Sequence, residues 1–224
     1  HWLVSRGTSN TRGFFRMNIR EINLLFSEVV FTKILDYVSD EEMRSINDSL
    51  KSIEYMSTDF NPNNKQATQV SKNKKLFNSL YFLKLAETIK EEFTNFKNNT
   101  LHYANDFKYT TSWSTKSQPS QQSEWHNHTN CFYSGIFYTN VSEDCGKLEL
   151  NTFKQKGFLI QPSKYTDLNS PNYSIKTMNK MLIFFPSHLY HRIGFNNSNM
   201  TRYSIAFNFI PTGKIGYEDS EITI

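Results

Sequence analysis

A mainly β, α+β fold is predicted by three observations. Aromatic residues make up 15% of the 224-residue chain, an excess that suits pleated, half-buried surfaces. Two stretches of helical periodicity lie before residue 100. After His102 the texture changes to short runs rich in Tyr, Phe, Thr and Ile, punctuated by Ser, Asn, Pro and Gly. At 26.3 kDa the chain can enclose one sizeable core and is short for two.

The opening segment His1 to Arg16 lacks the continuous apolar run of a signal peptide, and Met17 has the character of a natural start. Residues 1–16 are therefore read as a leader and residues 17–224 as a single domain, with helical support over 39–99 and a barrel over 102–212. Ser39 followed by Glu42 forms a capping-box pattern, and Met43, Ile46, Leu50 and Ile53 recur at helical spacing, which predicts a helix over 40–54. A polar, Asn-rich interval (59–74) precedes Leu76, Leu80, Leu83, Ile89, Phe93 and Phe96, a second and longer helical pattern ending at Asn98 and Asn99. Strands are expected near 103–114, 131–139, 147–152, 157–161, 173–178, 181–185, 191–195 and 202–209. About eight strands behind two helices fit a double-stranded β-helix, or jelly roll, with two N-terminal supporting helices on one face.

Charge and cysteine content narrow the function classes. The formal charge is +4, from 25 basic and 21 acidic residues dispersed along the chain, with no dense basic block of the kind that tracks nucleic-acid phosphates. No stretch approaches the roughly 20 apolar residues of a membrane span, so a soluble protein is expected. Cys131 and Cys145 form neither a disulfide framework nor a CxxC metal pair, and a reducing cytoplasm is the simplest setting. The abundance of Asn, Lys, Phe, Ile and Tyr suggests an AT-rich genome such as a phage carries.

Three of the six histidines sit where a metal site needs them. His126 and His128 stand in Glu124-Trp125-His126-Asn127-His128, and residues i and i+2 of a strand face the same way, so both imidazoles can reach one ion. A third ligand must come from a distant strand, and His191, after the apolar run Met181 to Phe185, is placed to supply it. Such a set leaves coordination positions open for a substrate and oxygen. The bland alternative makes His126 and His128 surface residues of a polar loop. Eleven residues beyond His191, Arg202 and Ser204 share one face of a strand ending in Phe209, a guanidinium and a hydroxyl suited to a carboxylate. The alternative is a rim arginine paired to an acid.

These segments, WHNH, SGIFYTN with the acidic turn and GKLEL that follow, MLIFFPSHLYH and TRYSIAFNF, resemble the 2-oxoglutarate and iron(II)-dependent oxygenases over about residues 103–212. Within them the likeness is to prolyl hydroxylases and to phage-encoded members with an HxH motif. The resemblance implies His126, His128 and His191 as iron ligands, Arg202 as the clamp on the distal carboxylate of 2-oxoglutarate, Tyr138 as a second donor to it and Ser204 as a weaker one. It implies iron(II), 2-oxoglutarate and O2 as cofactors, with ascorbate as an auxiliary reductant. The implied reaction hydroxylates a C–H bond of a peptidyl proline or another amino-acid side chain and releases succinate and CO2.

The family's acid after the first histidine is replaced by His128. This leaves open a three-His site, a site completed by Glu124, or weakened metal binding; relatives of the phage type favour three His. His188 is read as a pocket wall, and Trp113, Trp125 and Phe132 as candidate wall residues. The loops 59–74 and 118–123 are candidate lids. Two other classes remain: a cupin-type three-His dioxygenase without 2-oxoglutarate, whose later Glu is not found at Phe132 or Tyr133, and a non-catalytic jelly-roll binding module.

Overall fold

The structure, a computed structural model, describes residues 27–61, 64–153, 160–166 and 169–224. The expected leader, 1–16, lies outside these residues, as does most of the strand expected at 157–161. In chain order the elements are β1 (Phe31–Ile34), α1 (Asp40–Ser52), β2 (Tyr55–Ser57), β3 (Gln69–Ser71), α2 (Leu83–Phe96), β4 (Phe107–Ser117), β5 (Tyr133–Asn140), β6 (Leu148–Asn151), β7 (Asn172–Ile175), β8 (Met181–Pro186), β9 (Tyr190–Ile193) and β10 (Arg202–Pro211). A short hairpin of β11 (Lys214–Ile215) and β12 (Ile222–Thr223) follows.

Two antiparallel sheets build the jelly roll. The larger runs β1-β8-β5-β10-β4-β3-β2 and the smaller β7-β6-β9. The pleat sends alternate residues of the large sheet to opposite cores. On one face Tyr133, Phe137, Phe184, Ile205, Phe207 and Phe209 pack against the two helices. On the other, Ile136, Tyr138, Ile183, Phe185 and Ala206 meet Leu148, Leu150 and Ile175 of the small sheet. The second core is the interior of the barrel.

Helix α1 begins where Ser39 Oγ accepts from the Glu42 amide at 3.1 Å. Asp40, Glu41 and Glu42 complement the positive end of the helix dipole, and Met43, Ile46 and Leu50 are buried. Only half of the capping box forms, because the Glu42 carboxylate pairs with Lys84 of α2 at 2.7 Å. The second helix starts later than its apolar pattern suggests. Residues Leu76–Asn78 form a 3-10 turn in which the Phe77 amide donates to Ser112 Oγ at 2.9 Å, so Leu76 and Phe77 enter the core by a route separate from α2. Leu80 is left 86% exposed. Helix α2 buries Leu85, Ala86, Ile89, Phe93 and Phe96, and Phe93 stacks on Phe209 with ring centroids 4.1 Å apart.

The polar interval 59–74 is not all loop. Its Gln69–Ser71 segment is β3, which pairs with β2 and with β4 and widens the large sheet, and Ala67 bridges Gln122, tying the two expected lids together. Gly135 lies in mid-strand on β5, where an added Cβ would strike the rings of Phe207 and Phe184. The aromatic layer under α2 therefore depends on a missing side chain. Gly135→Ala is expected to cost about 1–3 kcal/mol through overpacking, read as a lowered urea midpoint with unchanged m-value.

Candidate active site

The three histidines converge. His126, His128 and His191 each place a ring nitrogen within 4.8 Å of the others, and ring centroids stand 4.3 to 5.3 Å apart. Among the described residues they are the one His/Cys/Asp/Glu group of this kind. His191 projects from β9, where its outward neighbours Tyr190 and Arg192 confirm the alternation of the strand. His126 and His128 do not lie on a regular strand as expected. They sit on an extended segment joined to β9 by one bridge, in which the amides of His126 and His191 each donate to the other's carbonyl, at 3.0 and 2.8 Å. The His128 amide donates to the Ser187 carbonyl at 3.0 Å. These backbone bonds fix the pair beside β9.

Carbonyls aim two of the rings. His126 Nδ1 lies 2.8 Å from the Glu124 carbonyl and His191 Nδ1 lies 3.1 Å from the Leu189 carbonyl. A carbonyl only accepts, so each Nδ1 carries the proton and each Nε2 presents a lone pair. Trp113 meets His128 edge to face at 5.4 Å, and Phe185 meets His191 at 4.7 Å. Burial, reinforced by the neighbouring His126 imidazole, lowers the His128 pKa to about 4, and burial holds His191 well below the usual imidazole value. Both rings are neutral at pH 7, the state that ligates metal. A small cavity of about 70 Å³ lies against the triad, with Trp113, Thr115, Ile136, Phe185 and Ala206 among its walls.

The barrel face that carries Ala206 continues along β10 to Ser204 and Arg202. Ser204 is in register with Tyr138 on β5 and Thr115 on β4. A bulge between Tyr203 and Ser204 skips Thr139, whose carbonyl is met by Asn47 of α1 at 2.9 Å, and this local kink aligns Tyr138 with Ser204. Arg202 is 1% exposed. Its Nη1 donates to the carbonyls of Cys145 and Gly146 at 3.1 and 3.5 Å, in a turn where Gly146 adopts φ +93°. Arg202 Nε and Nη2, Tyr138 Oη and Ser204 Oγ are buried and meet no partner among the described residues. Burial pushes the Tyr138 hydroxyl well above its usual range, against the pull of the Arg202 charge, so it is an O–H donor at neutral pH. Four buried donors, two of them on the guanidinium itself, fit a carboxylate.

Other expected residues lie elsewhere. The Glu124 carboxylate is not part of the histidine group, and Glu124 contributes its carbonyl to His126. His188 is exposed and faces Glu28 at 3.1 Å rather than walling the cavity. Trp125 packs under Arg192 at 4.9 Å and against Phe153, and Phe132 is 45% exposed beside Tyr103 and Phe107. Of the three candidate wall aromatics, Trp113 lines the triad cavity. Thr58, Thr68 and Val70, on or beside β2 and β3, also line it and carry no sequence signal, since three-residue strands are too short to show a period.

No helix among the described residues is long and apolar enough to cross a membrane. Because His128 and His191 are neutral when folded but protonate near pH 6.5 when unfolded, the unfolded state binds more protons below that pH. Stability of the metal-free protein should fall as pH drops from about 6.5 towards about 4, measured as the urea midpoint in the presence of chelator. His128→Gln should flatten part of that slope.

Residues 111–208 match a family model described as "Putative 2OG-Fe(II) oxygenase". No curated protein matched the sequence. Among solved structures, a prolyl-4-hydroxylase from Pseudomonas putida aligns at 11% identity over 84% of this chain and 95% of that one, with a TM-score of 0.55. HygX from Streptomyces hygroscopicus, solved with nickel, 2-oxoglutarate and hygromycin B, aligns at 12% identity over 83% of each chain, with a TM-score of 0.58. A prolyl hydroxylase from Trichoplax adhaerens, in complex with a hypoxia-inducible-factor peptide fragment, aligns at 14% identity over 82% of this chain and 83% of that one, with a TM-score of 0.55. At these identities the likeness is one of fold, and the family match spans the three histidines and the buried arginine. Residues 111–208 are thus similar to a 2OG-Fe(II) oxygenase domain, a family that works with iron(II) and 2-oxoglutarate.

Proposed function

We propose that the protein hydroxylates a C–H bond of an amino-acid side chain, with peptidyl proline as the first substrate to test, and that His126, His128 and His191 hold the iron. The observation that carries this reading is the buried set of unmatched donors on Arg202, Tyr138 and Ser204, on the barrel face shared with the triad. A three-His centre that used no 2-oxoglutarate would leave that buried guanidinium without an anion. Peptide substrates are favoured by the fold shared with the two prolyl hydroxylases.

The chain's own groups divide the work. The Nε2 atoms of His126 and His191 and the ring of His128 would hold the metal. Arg202 Nε and Nη2 would donate to the distal carboxylate of 2-oxoglutarate, with Tyr138 Oη and Ser204 Oγ as further donors. Trp113, Ile136, Phe185 and Ala206 exclude water from the reacting atoms. Bound iron(II) with 2-oxoglutarate and O2 supplies the oxidising power to break an unactivated C–H bond, with succinate and CO2 as co-products.

Arg202→Ala should raise the 2-oxoglutarate requirement at least ~10-fold, the scale of one lost charged contact, in a succinate-release assay. Unchanged dependence would remove Arg202 from the site. His191→Ala should abolish iron-dependent succinate release; full turnover in that variant would overturn the ligand assignment. A panel of proline-containing peptides and free amino acids assayed for succinate release tests the substrate class.

A further inference from the structure

A second, wider cavity of about 470 Å³ adjoins the small one at the triad. The two share Thr58, Ser123 and His126 as wall residues, so the wide cavity opens on the exposed side of His126. Its volume lies in the range of ligand-binding clefts, roughly 300–1,000 Å³, whereas the inner cavity is too small for more than the reacting end of a molecule.

Among the described residues the walls of this mouth carry one sign of charge. Asp59 and Glu124 line it, together with the amides of Asn64, Gln66 and Gln122, and no described Lys or Arg does so, although the chain as a whole is basic. Asp59 is held ionised by the Asn61 amide and the Asn64 side chain, which bond its two oxygens. The Glu124 carboxylate has no ion pair or hydrogen bond among the described residues. The nearby cation Arg192 is engaged elsewhere, bonded to Glu149 at 2.6 Å and stacked over Trp125. Glu124 is also tied to the centre through its own backbone, since its carbonyl orients His126. Its carboxylate therefore stands beside the histidine group without joining it.

We propose that the wide cavity is the substrate mouth and that Glu124, with Asp59, selects substrates bearing a protonated amine or guanidinium close to the carbon that is hydroxylated. This rests on the oxygenase reading above and narrows its substrate class. Glu124 and Asp59 are specificity residues, and the neutral amides between them orient the remainder of the substrate. The amide and carboxylate lining disfavours acidic substrates by like-charge repulsion and accepts basic ones by charge-assisted hydrogen bonds.

The test uses the full chain and capped five-residue peptides with a central proline flanked by lysine, glutamine or glutamate, with free lysine as a further arm that separates peptide from free amino acid. Binding is read by competition against a fluorescein-labelled lysine peptide on metal-free protein, and turnover by succinate release on the iron-loaded enzyme. The expected order is lysine tighter than glutamine tighter than glutamate, with at least ~10-fold between the first and last. Glu124→Gln should shrink that span several-fold, and Glu124→Lys should reverse its direction. Equal affinity for the three peptides, no detectable binding of any, or a span unmoved in both variants would overturn the proposal. Charge-selective binding without 2-oxoglutarate-dependent succinate would instead contradict the oxygenase reading and leave the cation site standing.

Discussion

The constraint on which the site depends is the burial of one positive charge. Arg202 is enclosed in the barrel, bonded through Nη1 to two carbonyls, and paired with no carboxylate among the described residues. An unpaired buried ion costs several kcal/mol even after local relaxation, and two carbonyl dipoles offset only part of that. A fold that keeps such a residue at the start of its central strand gains from an anion supplied from outside. The surrounding structure serves this placement: β10 lies between β4 and β5, the bulge at Thr139 turns Tyr138 toward Ser204, and the Gly146 turn brings carbonyls up to Nη1.

On the proposed ligand set, His128 in place of a carboxylate would change the electrostatics at the other end. Imidazole ligands contribute no negative charge to a metal dication, so the centre would be one unit more positive than one with a carboxylate ligand. Such a centre would hold the bare metal less tightly and reward an anionic cosubstrate more. Glu124 stands outside the histidine group, and its residue lines the wide cavity beside it.

Much of this arrangement was legible in the sequence because strand alternation is strict. Arg202 and Ser204 at spacing two pointed to the inward face of β10, which Ala206 continues, and the HxH pair with a late His191 pointed to the histidine cluster, although His126 and His128 reach it from an extended segment held by one bridge. Local pattern misled where tertiary contacts set the path. Leu76 and Leu80 continue the helical spacing of α2, yet Ser112 captures the Phe77 amide and the chain leaves the helix there. The three-residue strands β2 and β3 had no readable period, so the threonines and valine they bring to the cavity were invisible. Trp125 and His188 lie near the clustered histidines in sequence, but Trp125 packs under Arg192 and His188 sits in the turn after β8, facing Glu28.

The most direct test of the central claim is an anaerobic titration of the iron(II)-loaded protein with 2-oxoglutarate, followed in the visible spectrum and repeated on Arg202→Ala. The account predicts a weak charge-transfer band that saturates in the parent protein and needs at least ~10-fold more 2-oxoglutarate in the variant. Iron binding with no spectral response to 2-oxoglutarate, or identical titrations for the two proteins, would contradict it.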